Sequence, residues 1–225
     1  DPGVHTDHVS ASRDQALFDH LAVAVQSRVR EIVARGEHDA IVVLGGIDVG
    51  FDSVRAISPI PVAYPIHSAL HMGSLIADRL AYVDMSDPQA ARVRRAARAY
   101  GLDHKLVSVR NYGRSSTETS PILRTAMDGG TISPAADELL DQVVGCCRAA
   151  IEDDGAEALI IGFTPLQPLE AEVRRRLDDA GYREIPAIWL LTAAVAMAKA
   201  MAETGLAQAP RAFPTDELSA KPSKR

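Results

Sequence analysis

Two glycine-rich stretches carry residues that could do chemistry, and each directly follows an apolar run. In the first stretch, Gly45 and Gly46 follow the run 41–44, and Asp48 comes soon after. The backbone N–H groups of such glycines can hold a developing oxyanion, so we predict that they bind substrate together with Ile47. A carboxylate beside them can act as a general base, and we predict Asp48 as catalytic. Bonding within its loop, or capping the next helix, is the alternative role for Asp48.

The second stretch has the same pattern, since Gly162, Phe163 and Thr164 follow the apolar run 158–161. The hydroxyl and N–H of Thr164 could bind an anionic group at the positive end of the helix that follows. A plain helix cap is the alternative role for this residue. Phe163 would fill space beside such a ligand and keep the site dry. We predict that both residues contact substrate.

Two histidines, His67 and His71, are four residues apart and therefore share one face of a predicted helix. His67 stands at the start of that helix, near the predicted sheet edge, where an imidazole could serve as a base. We predict His67 as a second catalytic residue. The two histidines with Asp48 could also imitate a metal site, but this spacing is weak evidence. We therefore predict neither a metal nor a cofactor.

An irregular segment, 110–133, supplies the remaining candidates. Arg114 offers a planar fork that suits a carboxylate, and Tyr112 and Ser115 lie beside it in the sequence. We predict that these three residues bind substrate. A solvated surface loop is the alternative interpretation of the whole segment.

The elements that must position these residues alternate between strand and helix. The strands are predicted at 41–44, 61–65, 80–83, 105–109, 157–163 and 185–190. Unbroken apolar runs such as 41–44 are typical of strands buried on both faces, as in parallel sheets. Alternation of this kind indicates an α/β protein built from parallel βαβ units.

Two copies of the strand-then-glycine pattern predict two related lobes with a cleft between them. We place the first α/β lobe at 1–109, an irregular cleft loop at 110–133, and the second lobe at 134–206. The remaining residues, 207–225, contain several Pro and Lys residues and are predicted to be a mobile tail. Exchange of end helices between the lobes is compatible with this scheme.

Composition narrows the class of function. The chain is 225 residues long, 47% hydrophobic and 24% charged, which is typical of a globular protein with a sizeable core. Its net charge of -6 argues against nucleic acid as a partner, and no apolar run is long enough to cross a bilayer. The only cysteines, Cys146 and Cys147, are adjacent and so poorly placed to bridge each other, which favours a reducing cytoplasm.

Several segments resemble the aspartate/glutamate racemase superfamily, with its hydantoin and allantoin racemase branch as the closest likeness. The segments are 39–52, 60–65, 69–74 and 155–164, and the likeness extends over 36–206. The resemblance implies two Rossmann-like lobes of mainly parallel strands with a cleft between them. It also implies a small anionic or cyclic amide substrate, no cofactor and a homo-oligomer. The family normally opens with a strand that is not found here, so we expect residues before Asp1 to be missing.

The resemblance also implies two catalytic cysteines, one in each lobe, and this chain lacks both. The first should fall at Gly45, or in a second register at Gly46, and the other at Phe163. Cys146 and Cys147 cannot replace them, because both lie inside a predicted helix before the sheet edge. In the arylmalonate decarboxylase branch glycine likewise replaces the first cysteine, although there the second one remains.

These departures predict an enzyme that does not use two thiols. We expect a hydrolase or lyase reaction through an enolate or oxyanion intermediate on a small carboxylate or cyclic amide. A non-catalytic protein that binds a small anion at the same place is the alternative from another class. An ordinary amino-acid or hydantoin racemase is a lesser alternative, since the sequence offers it no suitable thiols.

Overall fold

The computed structural model describes residues 15–214 apart from Gly46 and residues 129–130. The prediction for Gly46, the predicted start of the first lobe and the end of the predicted tail therefore lie outside the described residues. The helices are α1 (Gln15–Arg35), α2 (Phe51–Ile57), α3 (Pro65–Ile76), α4 (Asp87–Ala99), α5 (Ser116–Arg124), α6 (Pro134–Glu152), α7 (Glu170–Asp179) and α8 (Leu190–Glu203). The strands are β1 (Ile41–Val42), β2 (Val62–Ala63), β3 (Leu80–Asp84), β4 (Leu106–Asn111), β5 (Met127–Asp128), β6 (Thr131–Ile132), β7 (Ala158–Ile161) and β8 (Ala187–Trp189).

The chain forms two compact units, and α8 is divided between them. Of the described residues, the first unit comprises those between 15 and 64 together with those between 194 and 214, and the second comprises those between 65 and 193. This division differs from the predicted lobe boundary near residue 109. The reason is long-range pairing, because β3 lies between β4 and β7 in one sheet. The α/β class with parallel strands is confirmed, whereas the cleft between lobes stays a prediction.

The first unit is built on a short parallel pair of strands. Ile41 of β1 lies beside Val62 of β2, and helix α1 packs against α2. Val29 of α1 and Val54 of α2 are buried in the same apolar cluster as Ile41 and Val62. Parallel strands need a crossover connection, and α2 provides it.

The second unit contains a four-stranded parallel sheet in the order β4-β3-β7-β8. Every residue of β3, an inner strand, is buried, as expected for the apolar run 80–83 that precedes Asp84 at its end. Helices α6 and α7 cover one face of the sheet, with Leu139 and Val173 fully buried there. Helices α3 and α4 cover the other, where Leu70 and Val93 are fully buried. The carboxyl ends of all four strands therefore lie along one edge, which is where open parallel sheets bind ligands.

The segment 110–133 is more regular than predicted. Its first two residues complete β4, and α5 and the β5–β6 hairpin follow. Ser115 caps α5 by accepting a bond from the Glu118 N–H, while the Glu118 carboxylate accepts from the Ser115 N–H. Such a capping box has a sequence signature, Ser-x-x-Glu, which is present here. The prediction of an irregular loop was therefore wrong.

The prediction of a mobile tail from residue 207 is wrong for its first part. Gln208 is buried, and its side-chain amide makes two hydrogen bonds to the backbone of Val62. Phe213 packs its ring on the guanidinium of Arg55. These contacts attach residues 208–213 to the first unit.

Within residues 15–214, apart from the gaps at 46 and 129–130, no helix is long and apolar enough to cross a membrane.

Candidate active-site loops

The loop after β1 holds Asp48 in an unusual backbone conformation. Asp48 has φ of 51° and is 5% exposed, whereas Gly45 and Ile47 are half-buried. The left-handed region is sparsely populated by residues other than glycine, although aspartate tolerates it better than most. Gly50, with φ of 70°, is the residue that precedes α2 as its N-cap. The alternative of Asp48 as the cap of that helix is therefore wrong.

Tyr64 contacts this loop through one hydrogen bond, and it packs against the first residue of α2. Its hydroxyl donates a hydrogen bond to the carbonyl of Val49 over 3.1 Å, and its ring lies 5.2 Å from that of Phe51. Burial raises the pKa of Tyr64 above its ordinary value, and the negative charge of Asp48 raises it further. The phenol therefore stays protonated and acts as a donor. Sequence reasoning missed Tyr64, which lies inside the predicted strand 61–65 among apolar neighbours.

The loop after β7 holds Phe163 in a similar conformation. Phe163 has φ of 61°, is half-buried, and packs against the apolar cluster under α6 and α7. Its carbonyl accepts a bond from the Leu166 N–H over 2.8 Å. Thr164 is the first residue of a short 3₁₀ helix, Thr164–Leu169, whose N-cap is Phe163. Thr164 is thus not the plain cap that was the alternative to anion binding.

Asp84 is a further candidate residue, which sequence reasoning missed. It ends β3, is 1% exposed, and accepts a hydrogen bond through Oδ1 from the N–H of Met85. The N–H of Gly162 donates to the Val83 carbonyl over 2.7 Å. This bond brings the start of the Phe163 loop against the Asp84 carboxylate. The available signal was an acid at the carboxyl end of an apolar strand, but the predicted strand stopped one residue earlier.

The substrate-binding residues predicted in segment 110–133 have structural partners. Arg114 donates to Gln142 through Nε and to Glu138 through Nη2, each over 2.6 Å, which directs its fork onto α6. The hydroxyl of Ser115 is used in the cap of α5. Tyr112 is buried, and its pKa is raised first by burial and then by the charge of Asp84. Among the three, Tyr112 is the one whose pKa is raised by Asp84, the last residue of β3.

A pocket of about 700 Å³ lies along the outer edge of β4, beside α6. Its walls include Tyr112 and Asn111 on the strand, Gln142 and Cys146 on the helix, and Asp154. Neither Phe163 nor Thr164 lines it. Tyr112 is therefore the one predicted site residue that lines this pocket, and the loop after β7 does not line it.

His67 lies among aromatic side chains. Its ring is 4.3 Å from that of His71 and 5.0 Å from that of Tyr100, in edge-on arrangements. Tyr100 follows α4 and precedes β4 in the chain. His67 is the third residue of α3, which follows β2 in the chain, so it stands at a helix start as predicted, and its catalytic role stays a prediction. Among the described residues, no three His, Cys, Asp or Glu side chains are close enough to hold a metal ion.

Both cysteines lie in α6, as predicted, and neither follows β1 or β7. Cys147 is fully buried, and burial raises its pKa to about 12. Cys146 is half-buried and donates a hydrogen bond to the Asn111 carbonyl, with its pKa also raised by burial. A thiol attacks or abstracts protons as the thiolate. Raised pKa values therefore make both groups poor acid-base catalysts at neutral pH.

Comparison with known proteins places this architecture in a family. The model of the Asp/Glu/hydantoin racemase family matches residues 6–198, which is most of the chain. The chain belongs to this family. The resemblance found in the sequence is thereby confirmed.

Individual relatives are distant. A hydantoin racemase from Paenarthrobacter aurescens is 25% identical over 200 residues, which cover 88% of this chain and 74% of that protein. Among solved structures, an allantoin racemase from Klebsiella pneumoniae has a TM-score of 0.71 at 22% identity, covering 87% of this chain and 72% of the other. An unliganded arylmalonate decarboxylase has a TM-score of 0.53 at 16% identity, covering 86% and 81%. At such identities the structural likeness shows the fold alone.

Proposed function

We propose that the protein is an enzyme of this family that acts on a small carboxylate or cyclic amide without catalytic thiols. One observation carries the proposal. Among the described residues, the two non-glycine residues with positive φ are Asp48 and Phe163, and each lies in a loop that follows one of the two glycine-edged strands. Backbone strain of this kind costs about 1–3 kcal/mol and concentrates at functional sites. Both loops match the family motifs in which the resemblance places the thiols.

In the proposed mechanism, Asp48 accepts and returns the proton. A carboxylate can take a proton from a carbon next to a carbonyl group, or from a water that attacks it. The negative charge that develops on the substrate oxygen is held by backbone N–H groups near Gly45, in the same loop as Asp48. Asp48 is preferred over His67 because Asp48 lies in a motif loop, whereas His67 packs against Tyr100. Hydrolysis and a lyase reaction both fit this scheme.

The test combines a substrate panel with a matched pair of variants. Enantiopure 5-substituted hydantoins, allantoin, glutamate and arylmalonates are incubated with the protein in D₂O, and NMR follows both α-proton exchange and new products. We expect product formation that survives alkylation by iodoacetamide. Asp48→Asn should lower turnover by a factor of about 10² to 10⁴. Asp52→Asn, at an exposed position in the first turn of α2, is the control and should leave turnover unchanged.

Two other functions give different results in the same assay. The named relatives support racemisation, which would appear as α-proton exchange with inversion and no new product. Phe163 at the position of a thiol supports a binding protein, which would retain a small anion in calorimetry and turn over nothing. Turnover that alkylation abolishes would contradict the thiol-free mechanism.

We also propose a homo-oligomer in the cytoplasm. The resemblance to the family supports the oligomer, and the two free cysteines support a reducing compartment. Light scattering coupled to size exclusion would measure the number of chains. A mass equal to that of one chain at micromolar concentration would contradict the oligomer.

A further inference from the structure

The segment after α8 substitutes for a strand at the edge of the first unit. The carbonyls of Pro61 and Ala63 accept bonds from the N–H groups of Ile41 and Val43, so the N–H and C=O of Val62 between them face away from β1. Gln208 satisfies both groups, since Oε1 accepts from the Val62 N–H over 3.1 Å and Nε2 donates to its carbonyl over 3.0 Å. A buried backbone pair without partners would cost free energy. Gln208 therefore fixes the segment to β2.

Five residues later, the same segment reaches α2. The ring of Phe213 lies 4.2 Å from the guanidinium carbon of Arg55, and the ring of Phe51 lies 4.4 Å from it. The guanidinium is thus held between two aromatic rings. Cation–π contacts of this kind are worth about 0.5–2 kcal/mol, depending on how far they are desolvated.

The contacts continue from α2 to the loop that carries Asp48. Phe51 packs on Tyr64 at 5.2 Å, and Tyr64 donates to the carbonyl of Val49, the residue after Asp48. A continuous path of ring contacts and one hydrogen bond thus connects Phe213 with this loop. A non-glycine residue keeps a positive φ only when its surroundings hold it there. The path supplies such surroundings for Asp48.

We propose that Arg55 and Phe213 are positioning residues, which hold residues 47–50 in the conformation that presents Asp48 for proton transfer. This inference rests on the proposed role of Asp48. The segment 208–213 is attached at both ends, by Gln208 and by Phe213. Loss of the second attachment should free α2 and the loop while β2 stays paired.

The first experiment measures the loop without reference to activity. Hydrogen exchange of the backbone amides in 45–57 is followed by mass spectrometry for Phe213→Leu and Phe213→Tyr. Leucine keeps much of the apolar volume but has no ring, so exchange should become about five- to tenfold faster. Tyrosine keeps the ring, so exchange should match that of the wild type. Amides of β7 and α7, in the second unit, provide the internal control and should not change.

Two shortened chains provide a second comparison, in which one lacks the attachment and the other keeps it. A chain that ends after Leu206 lacks both Gln208 and Phe213 and should show fast exchange in 45–57. A chain that ends after Pro214 keeps the whole attachment and should behave as the full chain does. Equal exchange in 45–57 for the full chain, Phe213→Leu and the shorter truncation would overturn the inference.

Turnover then separates this inference from the proposed function. With any substrate found in the panel, Phe213→Leu should lower kcat about tenfold, and Phe213→Tyr should restore it. Because Phe213 acts through Asp48, Phe213→Leu should cause little further loss in an Asp48→Asn background. Independent, additive losses would overturn the positioning role. If Asp48→Asn is itself fully active, the proposed function fails, whereas the exchange measurements still decide whether Phe213 orders the loop.

Discussion

The carboxylate of Asp84 lies where a side chain on residue 162 would begin. A β-carbon built on Gly162 would be 2.6 Å from Asp84 Oδ2 and 2.7 Å from Tyr82 Cε1. Real β-carbons essentially never approach other atoms so closely. Gly162 is therefore required for space, because it lets the end of β7 pass against the end of β3. The position of the Phe163 loop depends on this contact.

Gly162→Ala should destabilise the protein by about 1–3 kcal/mol, the usual cost of forcing extra volume into a packed region. The reason is that Asp84 is buried and the backbone of β3 is fixed on both sides by β4 and β7. Urea unfolding, read as the free energy of unfolding, measures the effect. Proton-transfer activity should also fall, since the loop that begins at Phe163 must shift.

The control for this substitution is Gly145→Ala. Gly145 lies in the interior of α6, and a β-carbon built on it would meet no atom within 4 Å. Alanine is favoured over glycine in helix interiors by about 0.5–1 kcal/mol, so this variant should be more stable than the wild type. Equal changes in the free energy of unfolding for the two substitutions would contradict the idea that closeness to Asp84 is what excludes a side chain at residue 162.

Tyr64→Phe should reduce stability by about 1 kcal/mol. The substitution removes only the hydroxyl that donates to the Val49 carbonyl, and a half-buried acceptor loses its partner. Thermal unfolding at neutral pH is the measurement. Tyr182→Phe is the control, because the Tyr182 hydroxyl bonds Glu152 at the surface, and it should change stability by only a few tenths of a kcal/mol. A Tyr64→Phe variant as stable as the control would contradict a supporting role for this hydroxyl.

Local patterns in the sequence predicted most of the elements correctly. The apolar run 41–44 followed by glycines is a strand and a turn, although pairing ends at Val42 and Leu44 is largely exposed. Helix α1 ends at Arg35, and Gly36 follows it with φ of 65°, a left-handed conformation that ends many helices. These features are decided by neighbours in the chain. For that reason they can be read from the sequence.

The division into units and part of the candidate site could not be read in this way. The pairing of β3 with β7 joins residues nearly 80 positions apart, and no local pattern encodes it. Asp84 was missed because its importance lies in its contact with Gly162, which exists only once that pairing forms. Ser115 was predicted as a ligand although its spacing from Glu118 fits a capping box, so here a local signal was present and misread.

The two cysteines should be dispensable for any turnover. Cys146 and Cys147 lie in α6 with raised pKa values, so Cys146→Ala should leave kcat within about twofold of the wild type. Ellman's reagent offers an independent check, since Cys147 is fully buried and should react only after unfolding. Loss of turnover in Cys146→Ala, with the fold intact by circular dichroism, would restore a thiol mechanism.

Glu172 in α7 should make part of the stability depend on acid pH. Bonds from Arg175, at 2.6 Å, and from Arg176, at 2.8 Å, lower the pKa of its carboxyl from 4.5 to about 2. A carboxyl whose pKa is lower in the folded state stabilises the protein fully above its unfolded pKa. This contribution is lost as the pH falls from about 4.5 through about 2, because the unfolded chain takes up the proton first.

Glu172→Gln should therefore cost about 1 kcal/mol at pH 7, the upper range for ion pairs near the surface. The difference from the wild type should shrink steadily between pH 4.5 and pH 2, because the unfolded wild-type chain takes up the proton there before the folded chain does. Urea unfolding at several pH values measures it, with Glu184→Gln, at an exposed position of the same unit, as the control. A difference that stays constant down to pH 2 would mean that Glu172 stabilises α7 through packing, and that its bonds to the two arginines contribute nothing to the free energy of unfolding.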